Sequence, residues 1–423
     1  MVKVLHLNTY EANGGAGKAA ERLNLALKAE GVDSRLAVNF TFVKNSDADS
    51  FASNPVSKAY SLACMLAERL CTKQFVKKNG VPFSTSLAGR DISKHRWVRE
   101  ADLIHIHWIN HGFLSLPNLA SLFRLGKPVV YTVHDSYPFT GGCHVRYGCE
   151  KYLEQCGDCP DLLKPGPDDE SHHNWKAKAE VYNLNPFTVV APSRWMTERA
   201  KASSLFTSHP VRHIANCLDT RFFLPLNKAS LRTAFAIAED RSVILAGYMP
   251  SRAARHKGGR YLWEMLKILS ESNIASSLEV LLIGHKAGGQ GDDLPALNFP
   301  IRSLGVLNTD EALAQAYAVS DVYVTSSLEE SLGYTAIESM ACGTPVAAFN
   351  TSGLLDVVDH RKNGYLAQLG SARDLAEGVR WILETPARME LSLSARRKAV
   401  ASFAAPVVAG QHISLYNELL SGR

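Results

Sequence analysis

The stretch SLEESLGYTAIESMACGTPVAAF, residues 327–349, sets two carboxylates, Glu330 and Glu338, on either side of a helix start. After the apolar run DVYVT the chain turns and Gly333 permits a tight backbone. The pattern predicts a helix from near Tyr334 to just before Gly343, with Pro345 barring continuation. Glu330 then stands at the loop tip and Glu338 inside the helix, while the N–H groups of Gly333, Tyr334 and Thr335 point at any approaching phosphate. Acids flanking an anion cradle are the chemistry of a sugar-phosphate site. The plainer reading, two surface glutamates, fits poorly with the apolar neighbours Ile337, Met340 and Ala341.

A second feature is basic. In AGYMPSRAARHKGGRYL, residues 246–262, Arg252, Arg255, His256, Lys257 and Arg260 crowd ahead of a helix predicted from about Gly259, and no acid occurs between Gly247 and Leu262. A solvated helix face mixes both signs of charge, so this cluster points to an anionic ligand such as a diphosphate.

Near the start, NTYEANGGAGKAAERL places Gly14, Gly15 and Gly17 between an apolar run and an alanine-rich helix. Missing Cβ atoms let a phosphate or sugar approach the backbone there, although a plain strand-to-helix turn reads equally well. The spacing is not G-x-G-x-x-G, and no acidic ribose ligand follows the next strand, so a dinucleotide site is not indicated. TVHDSYPFTGG, residues 132–142, puts His134 and Asp135 at the carboxyl end of a predicted strand, where polar groups face a ligand crevice. His105 and His107 in HIHW read as structural; Ser193 and Arg194 stand at a comparable strand edge as weaker candidates, with the cap of the next helix as the alternative for the serine.

Four of the eight cysteines, Cys143, Cys149, Cys156 and Cys159, fall in one stretch beside His144. Cys156-x2-Cys159 has zinc-ligand spacing and the other half is looser; spacing alone leaves open a metal-tied loop or a set of buried thiols. Either role is structural, because four thiolates leave zinc no open position for chemistry.

The elements that must position these residues alternate. Short apolar runs at Val2–Leu7, Leu36–Val38, Leu103–His107, Val129–Val133 and Thr188–Ala191 read as buried strands with helical patterns between them. A second series follows at Val243–Ala246, Glu279–Ile283, Val322–Thr325 and Pro345–Phe349. Two βα series imply an α/β protein of two parallel sheets, with ligands off the carboxyl ends of the strands. The expected division is 1–214, 215–405 and a last helical stretch 406–423 that packs back on the first domain, with an irregular linker at 216–226. At 423 residues the chain exceeds a single ordinary core. Its 46% hydrophobic and 21% charged residues exclude disorder and fibrous repeats. A net charge of +5 with interspersed signs argues against a nucleic-acid partner. No run reaches the roughly 18 apolar residues of a spanning helix, and VKVLHLN is too short and too soon polar for a signal peptide, so a cytoplasmic chain is expected.

At these residues the chain resembles glycosyltransferase family 4, retaining enzymes of GT-B fold in which two Rossmann-like domains face a cleft. The E-x7-E from Glu330 to Glu338 with SMACGTPVAAF, then DVVDHRKNGYLA, matches the donor-site signature. The GGAG loop, HKGG at Lys257, LLIG ending at Gly284 and LGVLNTDEALAQAYAVSDVYV follow in the family's order, and HDSYPFTGGCHVRYGCEKYLEQCGDCP is similar to a bacterial surface-polysaccharide branch. The resemblance implies that Glu330 contacts the transferred sugar, Glu338 the ribose hydroxyls, and the amides of Gly333, Tyr334 and Thr335 the diphosphate. Lys257, with an arginine, would neutralise the leaving group without a metal ion or other cofactor. His134 would lie near donor sugar and acceptor, Gly15 would let the backbone approach them, and backbone near Gly284 would meet the base. Many members carry an arginine six residues before the lysine; here that position is Ser251, which leaves Arg252 and Arg255 as substitutes.

The resemblance thus implies a nucleotide-diphosphate sugar donor and a glycan or lipid-linked acceptor. A nucleotide-sugar epimerase of the same fold and a non-catalytic scaffold are the alternatives. Residues 58–78, KAYSLACMLAERLCTKQFVKK, read first as a bundle-packing helix and second as a peripheral contact with an anionic bilayer at the inner membrane face.

Overall fold

The computed structural model describes residues 2–12, 14–41, 47–78, 80–248, 252–284 and 296–422; the side chains of 252–254 lie outside the description. The chain divides into two compact units, Met1–Cys217 with Ala405–Arg423, and Leu218–Ala404.

The first unit carries strands β1 (Lys3–Tyr10), β2 (Asp33–Phe40), β3 (Asp49–Ser50), β4 (Leu103–Ile106), β5 (Val129–Thr132), β6 (Thr188–Ala191) and β7 (Val211–His213). Its helices are α1 (Gly14–Ala29), α2 (Pro55–Phe75), α3 (Arg96–Glu100), α4 (Leu116–Phe123), α5 (Glu170–Tyr182) and α6 (Arg194–Ala202). The second unit runs α7 (Lys228–Ala234), β8 (Ser242–Gly247), α8 (Gly259–Ser270), β9 (Leu278–Ile283), β10 (Ile301–Gly305), α9 (Asp310–Val319) and β11 (Val322–Thr325). It continues through α10 (Tyr334–Ala341), β12 (Val346–Phe349), α11 (Leu354–Val357), β13 (Gly364–Ala367), α12 (Ala372–Glu384) and α13 (Arg388–Phe403), before α14 (Ala405–Ser421) joins the first unit.

Both sheets are parallel, in the orders β3-β2-β1-β4-β5-β6-β7 and β10-β9-β8-β11-β12-β13. Helices cover both faces, so the middles of the central strands are buried; all of LEVLLI in β9 and VAAF in β12 are buried. In each unit the order reverses beside the first strand, between β1 and β4 and between β8 and β11. Ligands of such sheets bind off the carboxyl ends of the strands at this reversal.

Helix α14 packs Val408, Ala409, Leu415 and Tyr416 against Leu23, Ala26 and Leu27 of α1. Helix α2 differs from the bundle-packing reading of its sequence: only Ser61, Cys64 and Glu68 are buried. Glu68 is the anchor, its carboxylate accepting N–H bonds from Thr85, Ser86 and Leu87 at 2.7–3.0 Å. No helix among the described residues is long and apolar enough to cross a membrane.

Candidate functional site

In the second unit the sequence candidates meet at the switch point between β8 and β11. The loop after β8 closes in a 3-10 turn over Arg252–Lys257, and α8 starts at Gly259. Gly258 between them sits at φ +64°, and a Cβ there would lie 1.9 Å from the Ser326 carbonyl oxygen. The loops of β8 and β11 therefore press together as only glycine allows. Two hydrogen bonds join them: Ser326 Oγ donates to the Lys257 carbonyl at 2.9 Å, and the Leu328 N–H to the His256 carbonyl at 2.7 Å.

This stitching brings Lys257 Nζ to 2.6 Å from Glu330 Oε1. The same carboxylate accepts from Ser327 Oγ at 2.8 Å, and the Glu330 N–H donates to Ser352 Oγ at 2.8 Å. Burial works to raise the Glu330 pKa, but the Lys257 ammonium and the Lys257 and Ser327 hydrogen bonds outweigh it and hold the carboxyl below its ordinary value. Glu330 is thus an ionised acid fixed at three points.

Gly333 follows at φ +99°, where a Cβ would come 2.8 Å from Leu354 Cδ2. No side chain caps the first turn of α10, which leaves its amide end to backbone or ligand. Tyr334 and Thr335 begin that turn half-buried. Glu338, one turn on, is buried and accepts from the Tyr317 hydroxyl at 3.1 Å. Of the basic cluster, Arg255 is exposed, and Arg260 lays its guanidinium over the Tyr261 ring. The Arg252 side chain and Ser251 lie outside the described residues. Gly284 ends β9 at φ +87°, its N–H donating to the Gly305 carbonyl at 2.8 Å.

In the first unit Gly15 is exposed in the first turn of α1, with no atom within 4 Å of where a Cβ would stand. His134 stands half-buried just past β5. Its Nε2 lies 2.9 Å from His107 Nδ1, and His107 Nε2 lies 2.9 Å from His6 Nδ1. A three-ring ladder therefore runs from the carboxyl edge of the sheet into the core, ending at His6 Nε2, which has no partner. Burial lowers the His134 pKa to about 4, and burial, then His412 and Lys28, lower that of His6 to about 3. His105 bonds the Tyr416 and Thr132 hydroxyls, each at 2.7 Å.

Donor atoms of His6, His105 and His107 lie within 4.8 Å of one another. Sequence reasoning took the last two as isolated structural residues and missed His6. The signal was there, since alternate residues of a strand share a face and β1 pairs His6 with His105. Asp135 accepts from Trp108 Nε1 at 2.8 Å and His144 Nδ1 at 2.6 Å, so it orders the loop. Ser193 caps α6 through the Met196 N–H. Ser327 and Ser352, which fix Glu330, were also missed; Ser352 arrives from beyond β12 and carries no local signal.

Comparisons with known proteins agree with one another. Residues 13–222 match the family model described as Glycosyltransferase Family 4, and residues 228–399 the model described as Glycosyl transferases group 1. D-inositol 3-phosphate glycosyltransferase of Corynebacterium jeikeium is 30% identical over 40% of this chain and 42% of its own. Sulfoquinovosyl transferase of Arabidopsis thaliana is 32% identical over 76% of this chain and 58% of its own. The match thus spans less than two thirds of either relative. Among solved structures, HepE of Anabaena in complex with UDP and glucose superposes with a TM-score of 0.63 at 17% identity, covering 99% of this chain and all of that one. At that identity the likeness speaks for the GT-B fold alone.

Proposed function

The chain belongs to glycosyltransferase family 4, and from that premise we propose that it moves a sugar from a nucleotide-diphosphate donor to a glycan or lipid-linked glycan acceptor in polysaccharide assembly, with retention of configuration. One observation carries the assignment: the 2.6 Å pair of Lys257 and Glu330 at the switch point of the second sheet, beside the uncapped start of α10. In this reading the diphosphate rests on the amides of Gly333, Tyr334 and Thr335. Lys257, with Arg255 or Arg252, takes up charge on the leaving group as the glycosidic bond breaks, work that a metal ion does elsewhere. Glu330, ionised and immobile, binds the sugar where positive charge develops. Glu338 is assigned to the ribose and Gly284 to the neighbourhood of the base. His134, neutral near pH 7, and Gly15 are assigned to the sugar and acceptor hydroxyls.

HepE binds UDP and glucose, which favours a nucleotide-sugar donor for this chain as well. Thermal shift with a panel of nucleotide diphosphates identifies the base; a ligand at a hundredfold excess over Kd adds about 2.7 kcal/mol. With the donor known, Glu330→Ala is expected to abolish transfer while keeping nucleotide binding. Transfer at the wild-type rate in that variant refutes the assignment, and turnover of donor without acceptor points to the epimerase.

A peripheral contact with an anionic bilayer is the second part of the proposal. Leu62, Leu66 and Leu70 recur every fourth residue on α2 and are 50%, 57% and 52% exposed, with Arg69 and Lys73 alongside. Such a stripe suits the headgroup boundary, where a lipid-linked acceptor is found.

A further inference from the structure

We propose that Cys143, Cys149, Cys156 and Cys159 bind a structural zinc ion as a tetrathiolate. Residues 133–169 connect β5 to α5 with no more regular structure than the 3-10 turns Tyr137–Phe139 and Lys151–Leu153. A connection that long is uncommon inside a compact unit, and its apolar anchors are few, chiefly Phe139 and Tyr152 in the core of the first unit. All four cysteines line one pocket, together with Arg146. None is in a disulfide.

The surroundings select sulfur as the donor. His144, adjacent to Cys143, is not available as a ligand, since its Nδ1 is held by Asp135 at 2.6 Å and its Nε2 lies 2.9 Å from Ser84 Oγ. Asp169 is likewise engaged, accepting from the Cys159 N–H at 2.7 Å and from Ser171. Cys156 Sγ accepts from the Gly141 N–H at 3.1 Å, the kind of outer bond that orients a thiolate ligand.

The backbone at Cys156, Gly157 and Asp158 is left-handed throughout, at φ +55°, +99° and +45°. For the two non-glycine residues that costs about 1–3 kcal/mol each and persists only where something holds the turn.

Charge completes the case. Zn(S-Cys)4 carries a net charge of −2, and two cations are placed to offset it. Arg146 lines the cavity and is 6% exposed. Lys178 is fully buried; its ammonium donates to the carbonyls of Tyr137 at 2.5 Å and Thr140 at 2.9 Å and lies 3.4 Å from the centre of the Tyr137 ring. A fully buried ammonium without a carboxylate bonded to it is costly, and a neighbouring anionic centre removes that cost.

Zinc enters as Zn²⁺ and displaces four thiol protons to solvent, with no change of oxidation state.

The full chain, purified without chelator, is expected to hold one zinc ion by elemental analysis, released in step with mercurial titration of four thiols. Cys149→Ser and Cys156→Ser lose the ion, whereas Cys217→Ser and Cys342→Ser, elsewhere in the fold, keep it. Should the first two variants fail to fold, cobalt(II) exchanged into the wild-type chain reports directly, through the intense sulfur-to-cobalt charge transfer of a tetrathiolate. Protein free of zinc with all four thiols reactive, iron with acid-labile sulfide, or zinc retained in the Cys149 and Cys156 variants overturns the proposal.

Discussion

Lys257 and Glu330 are 73 residues apart in the chain, yet the ammonium of one lies 2.6 Å from the carboxylate of the other. They meet because β8 and β11 are parallel hydrogen-bonded neighbours whose loops leave at the same edge, and because Gly258 lets the two loops touch. With the lysine side chain 37% exposed and the glutamate 16%, the pair adds only about 1 kcal/mol to stability. Its consequence is positional, since a cation and an anion are held at one spot before any substrate arrives.

Replacing the cation separates those roles. Lys257→Ala is expected to lower kcat by about 10²–10³-fold, the usual cost of one lost electrostatic stabiliser. It also removes the group that opposes burial at Glu330, so the carboxyl pKa rises and the acid limb of the pH–rate profile moves to higher pH. Initial rates across pH check both effects. A loss under tenfold with an unmoved acid limb argues that Lys257 does not face the leaving group.

Gly258 supports the site without touching substrate. In Gly258→Ala the Cβ meets the Ser326 carbonyl at 1.9 Å and the residue is held at φ +64°, so the loops must part. We expect about 1–3 kcal/mol of destabilisation and a loss of activity at temperatures where circular dichroism still reports a folded chain. Unchanged melting together with unchanged rate removes the role given to this contact.

The histidine ladder makes stability fall in mild acid. Its rings His6 and His134, and the neighbouring buried His412 of α14, have pKa values lowered by burial to about 3, 4 and 3, against an ordinary 6.5. Between those limits the unfolded chain binds protons that the folded chain refuses. The stabilisation is therefore present above pH 6.5 and lost as pH falls toward 4, by about 1.4 kcal/mol per pH unit for each histidine. Urea midpoints at pH 5 and 7 measure it, with His6→Leu flattening the dependence. Equal slopes for wild type and variant contradict the ladder.

Local patterns made the two-sheet architecture legible, because strands buried on both faces are near-continuous apolar runs such as LEVLLI and VAAF. The edge strands β10 and β13 were not legible, since half-buried IRSLG and the mixed run GYLA carry no such run. The placement of Glu330, Gly333 and Glu338 around the start of α10 could be read because a glycine, a helix start and the spacing of two glutamates lie within one short stretch. What fixes Glu330 could not be read in the same way, for Lys257 and Ser352 reach it through strand order, and Ser327, only three residues before it, carries no sign in the sequence of where its hydroxyl points. The histidine ladder was half legible; alternation marks a shared face, but only pairing of β1 with β4 puts the rings in one column.

Helix α2 yields the last prediction, and it concerns where the enzyme works. A helix that stores its one buried acid, Glu68, beneath the loop at 85–88 leaves its outer face to Leu62, Leu66 and Leu70 with basic neighbours. Burying the exposed half of each of these three side chains in a headgroup region is favourable by about 1 kcal/mol, and nearby basic residues add roughly 1 kcal/mol apiece on an anionic surface. Sedimentation with anionic vesicles is therefore expected to carry the wild-type chain down at low salt and release part of it at high salt. Leu66→Glu with Leu70→Glu abolishes sedimentation while leaving transfer to a soluble acceptor unchanged, because neither side chain is buried in the fold. Equal sedimentation of variant and wild type assigns the exposed stripe to some other partner.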